Sequence, residues 1–578
     1  MQTRSLKVVL PEDASQAELI AAAHDEPNVN DWIFRRLILD KYPESFAKVI
    51  AQEYSRIHQA QGRRHANLFM LDIKDQLSKN LLSLASSDDD VISYAKERAS
   101  EIRRLCFCTD NFAKTLQFLC DLVYYKYGIL PPLKSNLGAG TVTVTVTVPG
   151  TEVPVTVAVS VLGVIGRLCD ERWWRRSLRK VHIRNVEGKA IQLGLVCRGK
   201  EKYVSNVTLQ RKRQQKQRNR KVLENCIATN ELDQSYTLQE LSDKSVSNPE
   251  IQRNELMTRL AGFDKIAVDH GHIGIVYTIT CPSRMHASIT KNDKSFKNPN
   301  YDNTTPAQAQ KYINNVWARI RAELDRQEIK PYGFRVAEPH QDGTPHWHVL
   351  LYMQNEQAEA VEQVIRHYAL QDSPDEKGAQ LHRVDVITID RSKGTGTSYL
   401  AKYIAKGIDG HGLDMDIDGG EPTSAAERVK AWANTWGNRQ FQQIGGPPVT
   451  LWRELRRLSG NGLSGVVKKL WEAANDALWD VYVMLMGGPQ AKRKDLPISL
   501  AKQWNDKPNR YQEPTGDEII GISCGNVTIP TRIHQWDVVY KPEFEKIEIK
   551  AIDPTSANNL HFFDREPIWA LAPLEFCQ

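Results

Sequence analysis

The sequence predicts an α+β fold, with a central antiparallel, palm-like sheet of the split βαβ kind, flanking helices, and a mainly helical N-terminal region. Three observations predict it. Residues 1 to about 130 carry apolar side chains at helical spacing, as in Phe34, Leu37 and Ile38 and again in Phe112, Leu116 and Leu119. Between 277 and 408, short β-branched and aromatic runs alternate with longer amphipathic ones in the order strand, helix, strand, strand, helix, strand, helix. The chain is also 578 residues long, enough for three or four domains with cores of their own.

The first region, 1–135, reads as a helical domain without chemistry of its own. Residues 136–165 follow, where Thr and Val alternate strictly from Thr141 to Val148, turn at Pro149 and Gly150, and alternate again to about Val161. Such a period-2 pattern predicts a hairpin with Val on one face and Thr on the other. It serves better as cover for a core than as an exposed edge that recruits a partner.

Residues 166–260 read as a basic helical region. From Arg172 to Arg220 sixteen Lys or Arg stand against two acids, Glu187 and Glu201, a local charge of +14 in a chain whose net charge is +6. A cationic block this dense, with Trp173 and Trp174 inside it, is the charge pattern that contact with a phosphate backbone requires. Candidate contacts are Arg172, Arg175, Arg176, Arg179 and Lys180, then Arg211, Lys212 and Arg213, with Arg284 further on. The alternative is a solvated helical face. The run from Arg211 to Lys221 is too polar for a core and belongs on a helix surface or a linker.

The mixed segment occupies 261–458. It opens on a strand at Tyr277 and continues through a helix over 306–326, strands at 333–337 and 346–353, a helix near 356–369, a strand at 383–388, and a helix carrying two tyrosines. Residues 459–578 form a C-terminal region whose role the sequence does not indicate.

Composition excludes several classes. A quarter of the residues are charged, mean hydropathy is −0.47, and no run of eighteen apolar residues crosses the chain, so no membrane span is expected. The start, Met1-Gln2-Thr3-Arg4-Ser5, lacks the apolar core of a secretory signal. Nine scattered cysteines without a C-x-x-C spacing read as reduced thiols of a cytoplasm.

The chemistry concentrates in Glu338-Pro339-His340-Gln341-Asp342-Gly343-Thr344-Pro345-His346-Trp347-His348. On a strand, His346 and His348 share a face and can grip one ion, while Trp347 packs on the other side. Nitrogen and oxygen ligands with open positions suit Mg²⁺ or Mn²⁺. Glu338 is the third ligand if it ends the neighbouring strand; His340 is its rival. An H-x-H pair alone is weak, since fifteen His in this length produce ~0.4 such pairs by chance. His270-Gly271-His272 is such a pair, read as structural or incidental.

Tyr399 and Tyr403 lie four apart on one helix face. A phenol of pKa ~10 attacks phosphorus only with help from a base or cation. Lys402 and Lys406 supply positive charge beside them, and a metal would supply more. The Gly394 to Thr397 loop could cradle a phosphate, yet it lacks G-x-x-x-x-G-K-[ST], and no ATPase motif occurs. Asp414 to Gly419 begins like an EF-hand, but its twelfth position is Ala425 where Glu is required, so an acidic loop is expected. Trp432 and Trp436, near Arg428 and Lys430, could stack on unpaired bases but more often such a pair is core. Arg284 and His286 could touch phosphate or the metal's surroundings.

These residues resemble the HUH endonucleases, in which U is a bulky apolar residue, and in particular the phage replication gene A proteins that start rolling-circle replication. Four further stretches carry the resemblance: Cys281-Pro282-Ser283-Arg284-Met285-His286, Asp342-Gly343-Thr344-Pro345, Tyr399-Leu400-Ala401-Lys402-Tyr403-Ile404-Ala405-Lys406, and Phe441-Gln442-Gln443-Ile444-Gly445-Gly446-Pro447-Pro448. The likeness spans roughly 165–458. The resemblance implies strand-specific nicking of single-stranded or supercoiled origin DNA in a bacterial cytoplasm. It also implies a 5′-phosphotyrosine, both tyrosines as nucleophiles, and a separate host helicase. Tyr399, at the helix start, is the expected first nucleophile. A non-catalytic origin-binding initiator and a metal-dependent nuclease that uses water are the competing readings.

Overall fold

Apolar residues at helical spacing build helices Val29–Leu39, Glu44–Ser78, Asp88–Phe107 and Phe112–Asp121, as the N-terminal pattern predicts. The second is interrupted at Gly62, whose φ of 83° no helical residue adopts. In this computed structural model the described residues are 29–78, 80–107, 112–133, 141–147, 154–292, 294–412 and 421–541. The acidic loop at Asp414 and the Pro149-Gly150 turn lie outside them. The chain divides into two units, residues 1–195 with 506–515, and 196–505 with 516–578. That division falls inside the basic stretch.

In the first unit the Thr/Val repeat forms strands β1 (Thr141–Thr147) and β2 (Pro154–Ser160), antiparallel from Thr141 opposite Ser160 to Thr147 opposite Pro154. Val144 and Val159 are buried among the helices, while Thr143, Thr145 and Thr156 are exposed. The hairpin therefore covers a core. Ser160 then caps the helix Val161–Leu168, from which Arg167 makes a buried ion pair with Glu513 at 2.5 Å.

The basic stretch is two helices, α1 (Glu171–Gln192) in the first unit and α2 (Asn206–Asn225) in the second. Trp173 and Trp174 are core residues of α1, Trp174 meeting Tyr127 edge-on at 5.2 Å, so neither indole faces a nucleic acid. An α-helix that packs one face on a core must bury its large aromatics there, whatever charge surrounds them.

The second unit is built on helix α3 (Pro249–Asp269), strand β3 (Ile273–Ile279), helix α4 (Pro306–Arg326), strands β4 (Tyr332–Pro339) and β5 (Pro345–Met353), helix α5 (Ala358–Ala369), strand β6 (Val384–Thr388), helices α6 (Gly396–Ile408) and α7 (Pro422–Trp436), strand β7 (Phe441–Ile444) and helix α8 (Val449–Leu455). The strands form one sheet in the order β6-β3-β5-β4-β7, antiparallel at every pairing. Element order through α6 matches the sequence expectation. β7 was not expected as a strand, because four residues with two glutamines carry no readable period.

The two faces of the sheet bury different cores. Val276, Phe334, Val336, Leu350 and Tyr352 pack under α3 and α6. Ile275, Tyr277, Trp347, Val349 and Leu351 pack under α4 and α5. Trp347 is fully buried and donates Nε1–H to Gln310 at 3.1 Å, so its truncation to Ala would cost about 3–5 kcal/mol. The C-terminal region returns to this unit, where strand Trp536–Tyr540 pairs with Cys226–Asn230. Among the described residues no helix is long and apolar enough to cross a membrane.

Candidate metal and nucleophile site

Strand register assembles the first half of the site. Glu338, near the end of β4, stands directly opposite His346 on β5, and His348 is flanked by Val336 on β4 and Thr278 on β3. Directly opposed residues point to one face, so the carboxylate and both imidazoles emerge together on the α6 side, with Trp347 on the other. Ligand atoms of Glu338, His346 and His348 all lie within 4.8 Å of one another.

Two Nε2 atoms, those of His346 and His348, are 3.0 Å apart. Either one donates to the other or both turn lone pairs toward a shared cation. Donors held ~2.1 Å from an octahedral ion at right angles stand ~3.0 Å apart, so the spacing fits Mg²⁺ or a similar ion. Glu338 is 1% exposed, and its Oε1 has no hydrogen-bond partner among the described residues. A cation would satisfy that orphan. Burial, followed by the charges of His340, His348, Lys406 and His286, holds the His346 imidazole well below its ordinary range, and a neutral ring is the form that ligates.

The second half comes from α6. Thr395 and Ser398 form a capping box at its start, which places the Gly394 to Thr397 loop as a helix cap. The Tyr403 ring stacks on His348, centroids 3.8 Å apart with 16° between planes. Lys406, 3% exposed, points its Nζ at Glu338 Oε2, 3.7 Å away. Tyr399 is half-buried one turn back, its ring 5.8 Å from that of Tyr403. Lys402 Nζ lies over both rings, 4.6 Å and 4.8 Å from their centroids. Burial, then the Tyr399 hydroxyl and the Glu338 carboxylate, push the Tyr403 phenol above its usual value.

These side chains line a cleft of about 430 Å³ that includes Glu338, His346, His348, Tyr403 and Lys406. Tyr399 and Lys402 are not among its lining residues. The geometry therefore puts Tyr403, rather than the sequence's first choice Tyr399, against the ligand cluster. His340 is on the cleft wall, its ring 4.1 Å from His346 and 5.0 Å from His286.

Several supports come from distant segments, and among them the sequence singles out only His286, which lines the cleft. His348 Nδ1 meets Thr278 Oγ1 at 3.1 Å. Asp342 is 4% exposed and holds His286 Nδ1 at 3.1 Å. Burial alone would raise the carboxyl's pKa, but the His286 charge outweighs it and keeps Asp342 ionised. Tyr203, at a φ of 68°, donates its N–H to the Gln341 carbonyl at 3.2 Å and lays its ring 4.9 Å from Lys406 Nζ. Arg198, in the basic stretch but not singled out there, also lines the cleft.

Other candidates are placed elsewhere. Arg284 is held between Asp372, at 2.7 Å, and Asp302. Arg179 pairs with Asp88 at 2.6 Å, Arg172, Arg175 and Arg176 are half-buried on α1, and Lys180 is exposed there. Arg211, Lys212 and Arg213 ride the surface of α2, Arg213 paired with Glu427 at 2.5 Å. Trp432 and Trp436 are both buried, so neither offers an open face for stacking on bases, and Trp432 donates Nε1–H to the Gly343 carbonyl at 2.7 Å, bracing the turn between β4 and β5. His270 and His272 bond the Ile266 carbonyl and the Tyr332 hydroxyl, away from the cleft.

Comparison with known proteins gives this arrangement a family. The sequence model described as bacteriophage replication gene A protein (GPA) matches residues 101–411. The replication gene A protein of Escherichia phage 186 is 38% identical over 410 residues, 68% of this chain and 58% of that protein. The replication protein of Haemophilus phage HP1 is 38% identical over 407 residues, 68% of this chain and 51% of its own length. The probable replication protein P12 of Pseudoalteromonas phage PM2 is 32% identical over 523 residues, 86% of this chain and 80% of that protein. This chain thus spans 58% and 51% of the phage 186 and HP1 proteins. A probable replication endonuclease from a prophage-like region of Salmonella typhi is 32% identical over 399 residues, 66% of this chain and 49% of that protein. No solved structure matches. The matched stretch holds the carboxylate, both histidines and both tyrosines of the cleft, and the chain belongs to the bacteriophage replication gene A protein family.

Proposed function

We propose that this protein is a replication initiator of phage or prophage DNA, a strand-specific endonuclease and strand transferase of the HUH kind whose antiparallel sheet serves as a palm-like platform. The observation that carries the reading is Tyr403 stacked on His348 in one cleft with Glu338, His346 and Lys406. The names of relatives from prophage-like regions, which print "probable replication endonuclease", support it.

In the proposed reaction a tyrosine hydroxyl oxygen attacks phosphorus in line with the 3′-oxygen. A bond from tyrosine oxygen to phosphorus forms and the bond from phosphorus to the 3′-oxygen breaks. The phenolic proton is lost to solvent, the 3′-oxygen gains a proton, and no water is consumed. The products are a 5′-phosphotyrosine and a free 3′-OH that primes synthesis. Glu338, His346 and His348 would hold Mg²⁺ or Mn²⁺, which when bound polarises the phosphate. Lys406 holds a buried positive charge against Glu338, and Lys402 keeps a cation over the phenol rings. Thr278 orients His348, and Asp342 orients His286. The second tyrosine takes the regenerated origin after one round, so that the bound strand closes into a circle. In this reading strand separation is assigned to a host helicase.

The deciding experiment incubates the protein with a single-stranded origin oligonucleotide and Mn²⁺ and resolves the products on a denaturing gel. A band of protein carrying DNA is expected. Cleavage without an adduct would assign the cleft to water-based hydrolysis, and binding without cleavage would leave only an origin-binding initiator.

A further inference from the structure

A second cleft, about 630 Å³, opens along the edge strand β7. Its chemistry is specific. Arg259, Arg439, Arg453 and Arg493 face a single lining carboxylate, Glu255, and Gln440 and Gln443 line the same space, while Gln442 turns its Oε1 to the buried Arg335 at 2.7 Å. Glu255 is already taken, by Arg453 at 2.8 and 2.9 Å and by Arg259 at 3.3 Å. Arg439 and Arg493, both exposed, are left with no carboxylate in the cleft to neutralise them.

The wall is built for the purpose. Gly445 and Gly446 adopt φ of 69° and 70°, and a Cβ there would come within 2.8 Å of the Tyr332 Cβ and the Phe263 Cζ. Gln443 Nε2 donates to the Gly445 carbonyl at 2.9 Å and the Pro447 carbonyl at 3.1 Å. This locked turn leads into α8, which presents Arg453. The same strand touches the tyrosine helix: a Cβ on Gly407 would lie 2.8 Å from the Phe441 Cζ, and Gly407 directly follows Lys406. Phe441 thus connects the lining of the second cleft to the helical turn that carries Lys406.

We propose that this second cleft binds unpaired nucleotides of the DNA strand delivered to the tyrosines. Arg439 and Arg493 take phosphates, and the Gln440 amide meets a base edge, as a planar amide does with adenine. A duplex cannot enter a cleft of this volume, whereas one or two unpaired nucleotides can. A nucleotide carries a phosphate for the arginines and a base edge for the amide in one unit, whereas an acidic peptide engages the arginines through its carboxylates. The identity of the strand rests on the nicking reading.

The test uses the full chain with Tyr399→Phe and Tyr403→Phe, so that binding is measured without chemistry. Arg439→Ala and Arg493→Ala are added together, and anisotropy of labelled single-stranded dA and dT oligonucleotides is followed across salt concentrations. The expected result is binding at least ~10-fold weaker, with the slope of log K against log salt flatter by ~1.4, or ~0.7 per contact on a single strand. Gln440→Ala should keep the slope and lose preference between dA and dT. Both arginines are exposed, so an unchanged melting temperature confirms the fold. Unchanged affinity and slope overturn the inference. So does a poly-Glu peptide that displaces DNA from the parent protein but not from the arginine variant, since it assigns the cleft to a protein partner. Adduct formation by the chain with both tyrosines intact is scored separately. Weaker binding without an adduct sinks the nicking reading alone, and an adduct with unchanged binding sinks this inference alone.

Discussion

Thr278 Oγ1 lies 3.1 Å from His348 Nδ1, across a strand pairing that sets the two residues side by side. A ligand imidazole is held in one tautomer and one orientation by whatever its other nitrogen bonds. Thr278→Val keeps the β-branched shape and removes that oxygen. It should weaken Mn²⁺ binding by ~10- to 100-fold, the usual cost of losing such a support, while Thr278→Ser restores it. Titration of Mn²⁺ by electron paramagnetic resonance reads the result. Equal affinity in the Val variant would mean that the strand alone orients the ring.

The choice of third ligand is equally testable. Glu338 stands opposite His346 in the strand register and carries the orphan oxygen, whereas His340 sits on the cleft wall. Glu338→Gln should therefore lower Mn²⁺ affinity by more than ~10-fold, because a hard cation loses its only anionic ligand. His340→Gln should change it by less than about 3-fold. The reverse order would make His340 the ligand. His346→Ala or His348→Ala should abolish both metal binding and cleavage while circular dichroism shows the fold intact, with some loss of melting temperature for His348→Ala because that ring packs on Tyr403.

DNA affinity should divide unequally between the two basic helices. On α1, Arg179 is committed to Asp88 and Trp173 and Trp174 to the core, while Lys216, Arg218 and Lys221 lie exposed on or beside α2's last turns. Changing those three to Ala should flatten the salt slope by ~2, at ~0.7 per phosphate contact on a single strand. Arg172→Ala with Arg176→Ala should move it by less. Salt-dependent filter binding decides, and an unmoved slope in the α2 triple variant would make that helix a solvated surface.

What was legible in the sequence is what short-range periodicity controls. The period of two that aligns His346 with His348 and turns Trp347 away survives intact in β5, and Pro306 after Thr305 marks the start of α4 to the residue. Contacts made by distant segments were not legible. Nothing local announces that Tyr203 folds over Lys406, that Phe441 packs on Gly407, or that Thr278 reaches His348. The tryptophans of the basic block mislead for a related reason. An indole beside arginines reads as a contact for nucleic acid, but Trp174 spends its N–H on a backbone carbonyl inside a core, and Trp432 does the same, as the core reading of that pair expects.

The two tyrosines should prove unequal. Tyr403 lines the cleft and stacks on His348, while Tyr399 stands one turn back and half-exposed. Tyr→Phe removes the attacking oxygen and keeps the ring that packs on His348 or under Lys402, so it tests chemistry rather than stability. Tyr403→Phe should cut the rate of first adduct formation by at least ~100-fold, the scale of losing a nucleophile while a neighbour can substitute poorly. Tyr399→Phe should leave the first adduct within about 3-fold and impair transfer of the bound strand to a second origin. The double variant should form none. Mass spectrometry of the nucleotide-bearing peptide checks the assignment directly: the first-cut label is expected on Tyr403, label on Tyr399 would show that α6 moves by a turn when DNA binds, and label on any other residue would refute tyrosine chemistry at this cleft.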